Sequence, residues 1–136
     1  MIVLDASAAV DMVRKTPEGL ALSRLLLDGE EVITHGLFSS EVCNAFWKCG
    51  HVGRLSKEEV QAFAKEAISL VDRVCDTDDL LCEALSEALY LDHPVYDMLY
   101  FVLARRNAAT LFTLDERLRK LCLDNGVNCV ALDDEF

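Results

Sequence analysis

Short, continuously apolar runs alternate along this chain with longer stretches in which apolar residues recur every three or four positions. The short runs lie at residues 2–4, 32–34, 71–74, 111–113 and 128–131. They show little apolar–polar alternation, as expected of strands covered on both faces. Helical periodicity fills the stretches between them, so the order predicts βα units wound into a parallel sheet, an α/β fold.

Residues 8–27 predict two helices, broken at Thr16-Pro17-Glu18-Gly19, where Thr16 suits an N-cap and Pro17 a first helical position. Within 39–49, Val42, Ala45, Phe46 and Cys49 follow the i, i+3, i+4, i+7 spacing of an amphipathic helix, which Gly50 and Gly53 end. Ser56-Lys57-Glu58-Glu59 matches a capping box and opens a helix toward Ser69. A helix over 77–90 has an apolar side of Leu80, Leu81, Ala84, Leu85 and Ala88. Pro94 separates it from a helix over 95–106, and the last helix runs over 115–123 with Gly126 as its stop. No repeat or linker stands out, so residues 1–136 are expected to form a single domain.

Composition adds bounds. With 52% apolar and 27% charged residues the chain can build a packed core and does not resemble a disordered one. Charges interrupt every long apolar run, which argues against a membrane span. Met1 leads directly into Ile-Val-Leu-Asp, without a basic stretch or cleavage site, so the expected location is cytoplasmic. The six cysteines form no C-x-x-C pair, and His35, His51 and His93 complete no zinc pattern. Most of these cysteines lie in apolar segments and are expected as reduced core residues; an intracellular disulfide, as in hyperthermophiles, is the competing reading. The net charge of −11 is the main evidence against a nucleic-acid substrate, because phosphate binding usually leaves a basic footprint, and it suits a basic protein partner. Positive charge is still clustered, at Arg105-Arg106, at Arg117, Arg119 and Lys120, and at Lys48, Arg54 and Lys57.

Four acids carry the candidate chemistry. Asp5 closes the first apolar run, Asp115 follows the fourth, and Glu41 and Asp97 stand near helix starts. Strand C-termini and helix N-termini meet at one edge of a parallel α/β sheet, so all four can converge there. Converging carboxylates repel one another and should raise at least one pKa, unless a divalent cation joins them. Hard oxygen ligands suit Mg²⁺ or Mn²⁺, which activate water against phosphodiesters. Each acid also has a structural reading: Asp5 and Asp115 as N-caps, with Ser7 a second possible cap, and Glu41 as a partner of the helix dipole. Asp97 resists such a reading. Tyr100, Phe101 and Ala104 make its helix face apolar, and a lone buried carboxylate costs several kcal/mol against the roughly 0.3–1 kcal/mol returned by a helix dipole. Ser7 and Thr113 offer hydroxyls, and Asn44 a neutral oxygen, to support the cluster.

Leu4-Asp5-Ala6-Ser7-Ala8, Ser40-Glu41-Val42-Cys43-Asn44-Ala45-Phe46-Trp47, Tyr96-Asp97-Met98-Leu99-Tyr100 and Phe112-Thr113-Leu114-Asp115-Glu116-Arg117-Leu118 resemble, in order and spacing, the successive motifs of PIN-domain nucleases. The chain is especially similar to the VapC toxins of toxin–antitoxin pairs, down to His51-Val52-Gly53-Arg54-Leu55 after the second motif. The resemblance covers essentially the whole chain. It implies a three-layer PIN-like fold with a five-stranded parallel sheet in order 3-2-1-4-5 flanked by helices. It also implies a homodimer, a cognate antitoxin whose tail covers the site, and Asp5, Glu41, Asp97 and Asp115 as metal ligands and catalytic groups. The activity implied is that of an Mg²⁺- or Mn²⁺-dependent endoribonuclease. The expected substrate is single-stranded or structured RNA, single-stranded first, since a shallow acidic site with no groove-reading element suits exposed strands.

Other acidic α/β folds fit less well. A receiver-type signalling domain would pair acids after the first strand and place a lysine after the last, and neither is present. A phosphatase of the haloacid dehalogenase type needs Asp-x-Asp, and Ser7 occupies the second position. A PIN-like module that binds RNA or protein without cutting it would lack one or more of the acids, whereas all four are here.

Overall fold

The computed structural model describes residues 1–26, 28–53 and 55–130. Among these residues four parallel strands, β1 (Ile2–Leu4), β2 (Val32–His35), β3 (Arg73–Cys75) and β4 (Thr110–Phe112), form one sheet in the order β3-β2-β1-β4. Ile2 stands opposite Val32 on one side and Thr110 on the other. Among the described residues seven helices flank the sheet: α1 (Ala6–Arg14), α2 (Pro17–Leu25), α3 (Phe38–His51), α4 (Lys57–Ser69), α5 (Leu81–Leu91), α6 (Val95–Arg106) and α7 (Glu116–Asp124).

Side-chain alternation divides the interior into two cores. Ile2, Leu4, Val32 and Phe112 face one way and join Val10, Val13, Phe38, Val42 and Phe46 of α1 and α3. Val3, Ile33 and Leu111 face the other way and join Leu80 and Ala84, the run Met98–Ala104 of α6, and Leu118 of α7. The result is three layers with both sheet faces covered, which explains why the strands read as continuous apolar runs. Helix α6 is the central element of its layer. Every residue from Met98 to Ala104 is buried, and the helix packs on β1, β2 and β4. In the other layer α1 and α2 cross closely. A Cβ on Gly19 would sit 1.9 Å from the Asp11 carbonyl oxygen, so only glycine fits.

Among the described residues, the expected fifth strand at 128–131 is a single parallel bridge between Leu111 and Cys129 on the outer edge of β4. The Leu111 N–H donates to Asn128 at 2.8 Å and Val130 donates to Leu111 at 3.1 Å. The remaining residue of that strand, Ala131, lies outside the described residues, as does Arg54 of the third basic cluster. Strand β3 begins two residues later than expected, because the Val71 N–H donates back to Ile68 at the end of α4 while the Asp72 carboxylate accepts from Val32 N–H at 2.8 Å. Helix α5 begins at Leu81, not at residue 77. The Asp76 carboxylate accepts from Asp78 N–H, and Leu80 N–H donates to Thr77, so local turns replace the first helical turn. All six cysteines are free, but only Cys122 is buried; Cys43 and Cys82 are exposed, which corrects the expectation of mostly core cysteines.

Candidate active site

The C-terminal ends of β1 and β4 and the first turns of α3 and α6 meet at one edge of the sheet, where the sequence places its acids. Asp5 follows β1 directly and is 5% exposed. Its Oδ1 accepts from the Ala8 N–H at 2.9 Å, capping α1, and from the Ser7 hydroxyl at 2.7 Å. Burial pushes its pKa from 3.8 up to about 6; hydrogen bonds from Thr113, Ala8 and Ser7 pull it down, and the Asp97 charge adds to the rise. Ser7 Oγ also accepts from the Leu114 N–H at 3.0 Å, and Thr113 Oγ1 from the Asp115 N–H at 3.1 Å. The two hydroxyls therefore tie the end of β4 to Asp5.

Glu41 lies in the first turn of α3. Its Oε2 accepts from the Tyr100 hydroxyl at 3.3 Å, whereas Oε1 is buried with no partner among the described residues. Burial pushes its pKa from 4.5 to about 7; the Tyr100 bond lowers it, and the Asp5 and Asp97 charges raise it. Tyr100 belongs to α6 and is 2% exposed. Burial, then the charges of Glu41 and Asp5, raise its own pKa, so it stays a phenol and a donor. The ring of His35, at the end of β2, packs against it with centroids 4.2 Å apart. His35 Nδ1 accepts from the Leu37 N–H at 3.2 Å. Burial lowers the His35 pKa to about 4, so this imidazole is neutral at physiological pH.

Asp97 departs from expectation. It is not a lone buried carboxylate: its side chain is 32% exposed and its Oδ2 lies 2.8 Å from His93 Nε2, an imidazole that is itself 2% exposed. Asp97 stands in the first turn of α6, at the edge of the core, and His93 four residues earlier supplies a partner. The acids with a burial deficit are Asp5 and Glu41. Asp115 is the N-cap of α7, its Oδ1 accepting from Arg117 and Leu118 N–H at 3.0 and 3.1 Å. It sits at the margin, linked to Asp5 through Thr113. Asn44 is exposed and shares an open depression of about 270 Å³ with Leu37, Ser40, Glu41 and Tyr96.

Asp5, Glu41 and Asp97 thus feel one another's charge. Among the described residues no three His, Cys, Asp or Glu side chains stand close enough to hold a metal ion as they are placed. The donor set still fits a hard divalent cation. The donors are all oxygens, two of the acids are held above their ordinary pKa, and one buried oxygen of Glu41 has no partner. Sequence reasoning did not single out Tyr100, His93 or His35. The i, i+4 spacing of His93 and Asp97 was a readable signal for one of them. Arg105 and Arg106, read from the sequence as a basic cluster, are held by Glu83, and Arg105 also by Glu87. Lys120 pairs with Asp124.

A family model described as PIN domain matches residues 2–123. Among solved structures, the chain is similar to PAE2754 from Pyrobaculum aerophilum, with a TM-score of 0.69 and 23% identity over 88% of this chain and 84% of that one. It is similar to VapC20 of Mycobacterium tuberculosis, described as a Sarcin-Ricin loop cleaving toxin, with a TM-score of 0.67 and 19% identity over 89% and 95% of the two chains. It is also similar to VapBC2 from Rickettsia felis, solved bound to a promoter DNA fragment, with a TM-score of 0.69 and 17% identity over 98% and 100%. A comparison with curated proteins finds no match.

Proposed function

The chain belongs to the PIN-domain family, and on that premise we propose that it is a divalent-metal-dependent ribonuclease, the toxin of a VapBC-type pair. One observation carries the reading: Asp5, Glu41 and Asp97 lie at one sheet edge within range of one another's charge, and among the described residues a buried Glu41 oxygen has no partner. Asp5, Glu41 and Asp97 would hold Mg²⁺ or Mn²⁺, with Asp115 beside them. When bound, such a cation lowers the pKa of water and neutralises charge on the phosphate and the leaving oxygen.

The chain's own groups prepare this. The Ser7 and Thr113 hydroxyls hold the Asp5 carboxylate in place, Tyr100 donates to Glu41, and His93 fixes one oxygen of Asp97. All four partners are orienting groups of the kind that tune metal ligands. RNA is the substrate that the likeness to VapC20 supports. The depression beside Glu41 is open, which suits an exposed single strand better than a duplex.

The likeness to VapBC2 supports a cognate antitoxin, and the net charge of −11 suits a basic segment on it. We assign the activity to one domain spanning residues 1–136 and place it in the cytoplasm; no described helix is long and apolar enough to cross a membrane. The protein acts as a homodimer, a reading supported by the stripe Leu81, Leu85 and Leu89 on α5, which are 40%, 51% and 76% exposed. Light scattering checks it: wild type should run as a dimer and Leu89→Glu as a monomer, and a monomeric wild type contradicts it.

The activity is tested by incubating the purified protein with total bacterial RNA. Discrete cuts should appear with Mg²⁺ or Mn²⁺ and vanish with EDTA. The new ends should carry no 2′,3′-cyclic phosphate, because water and not the ribose hydroxyl attacks. Cleavage that persists in EDTA and leaves cyclic phosphates overturns the reading.

A further inference from the structure

Beside the carboxylates lies a feature that the metal chemistry does not use. The open depression of about 270 Å³ shares Glu41 with the acidic cluster and is otherwise lined by Leu37, Ser40, Asn44 and Tyr96. Tyr96 immediately precedes Asp97 in the first turn of α6, and the residue is 66% exposed. Asn44 lies one turn after Glu41 on α3 and is likewise exposed. The depression therefore has a carboxylate of the cluster, an aromatic ring, an aliphatic side chain, a hydroxyl and an amide, but no cation.

An isolated exposed tyrosine is ordinary. This one is set apart by its place: Tyr96 adjoins Asp97 and lines one depression with Glu41 and Asn44, so a nucleotide whose phosphate met a cation held by Asp97 and Glu41 would present its base to Tyr96 and Asn44. The volume lies below the roughly 300–1,000 Å³ usual for a drug-sized ligand, and one unpaired base is the part of an RNA that fits it. Electrostatics point the same way. The chain carries a net charge of −11, and Arg105 and Arg106 are tied to α5 acids. Among the described residues no lysine or arginine lines the depression itself, so phosphate attraction there is weak. Base–aromatic stacking needs no positive charge, and an asparagine amide offers both a donor and an acceptor to a base edge.

Resting on the ribonuclease reading, we propose that Tyr96 and Asn44 form a nucleobase subsite, in which Tyr96 stacks on one unpaired base next to the scissile phosphate and Asn44 selects among bases by its edge. Tyr96 supplies affinity, and Asn44 supplies discrimination.

The test first maps cut sites on total cellular RNA and then uses a short single-stranded RNA spanning the fastest one. In that substrate each nucleotide flanking the cut is replaced in turn by an abasic one. For wild type, kcat/KM should fall roughly 5- to 150-fold at one flanking position only, the range corresponding to one lost stack. Tyr96→Ala should lose a similar factor on the intact RNA and show no further loss with the abasic one. Tyr96→Phe keeps the ring and should retain most activity. Asn44→Ala should flatten the preference among the four bases at that same position. Tyr96→Ala cutting the intact RNA as fast as wild type overturns the subsite while leaving the ribonuclease reading in place. So does an abasic penalty that persists in full in Tyr96→Ala. A wild type that cuts no RNA at all removes the ribonuclease reading and the subsite together.

Discussion

Replacing Asp5 with Asn should make the metal-free protein more stable, and by an amount that depends on pH. Asp5 is buried, and its pKa rises from 3.8 to about 6 on folding. For a carboxylate whose folded pKa is raised, the folded state holds the proton more tightly, so stability is lost as pH climbs from the unfolded to the folded value. The loss is about 3 kcal/mol above pH 6, at 1.36 kcal/mol per pKa unit. Asn retains an oxygen for the Ala8 and Ser7 bonds and carries no charge. Asp5→Asn should therefore match wild type near pH 4 and exceed it by about 3 kcal/mol above pH 6, or about 10 °C in Tm for a domain of this size. The raw wild-type curve mixes signs. His35, with its pKa lowered to about 4, destabilises the fold as pH drops below 6.5, while Glu41 acts in the same sense as Asp5 up to about pH 7. The difference between variant and wild type cancels His35 and reports Asp5 together with its charge coupling to Glu41. The assay is thermal unfolding of both proteins in EDTA at pH steps from about 4 to about 8. With Mn²⁺ at a hundredfold excess over its Kd, wild type should regain about 2.7 kcal/mol, and Asp5→Asn much less. If Asp5→Asn melts below wild type at pH 8, or the difference does not change with pH, Asp5 is a packing residue and the electrostatic account of the cluster fails.

Two further outcomes follow from the groups that hold the carboxylates. Tyr100→Phe removes the hydroxyl that donates to Glu41 and so raises the Glu41 pKa; the acidic limb of the cleavage rate should move to higher pH, and an unmoved limb would contradict this role. His93→Ala should weaken Mn²⁺ affinity by about 10- to 100-fold with a smaller effect on the rate at saturating metal. His93→Gln, which keeps a donor near Asp97, should recover much of that affinity, and equal losses in both variants would point to packing alone.

The fold was largely legible because both sheet faces are buried. Ile2–Leu4 and Thr110–Phe112 lie within a residue of the apolar runs that announced them, and Thr16, Ser56 and Asp115 cap the helices that their residue types and spacing suggested. The errors fall where local hydrogen bonds compete with regular structure. The turn at Asp76–Leu80 delays α5, and the return of Val71 to α4 delays β3. At the site, the positions of the acids could be read from the chain order, but their burden could not. Apolar neighbours marked Asp97 as buried, yet its place in the first turn and the His93 contact leave it partly exposed. Asp5 and Glu41, whose structural readings are an N-cap and a partner of the helix dipole, carry the raised pKa values. Burial depends on which elements close over a side chain, as β4 and α6 do over Asp5 and Glu41, and periodicity does not encode that. The basic clusters misled for the same reason, since Glu83 and Glu87 reach Arg105 and Arg106 only across the α5–α6 pair.

The central claim is that these carboxylates serve a metal that cuts RNA, and Asp97 tests it most directly because its partial exposure lets it be changed without disturbing the core. The measurement is single-turnover cleavage of an end-labelled RNA by wild type and Asp97→Asn, each with Mn²⁺ and with EDTA, beside their unfolding curves. Wild type should cut with Mn²⁺ and stop in EDTA. Asp97→Asn should remain folded, lose cleavage, and lose most of the stabilisation that Mn²⁺ gives wild type. Undiminished cleavage by Asp97→Asn, or equal stabilisation of both proteins by Mn²⁺, would contradict the account.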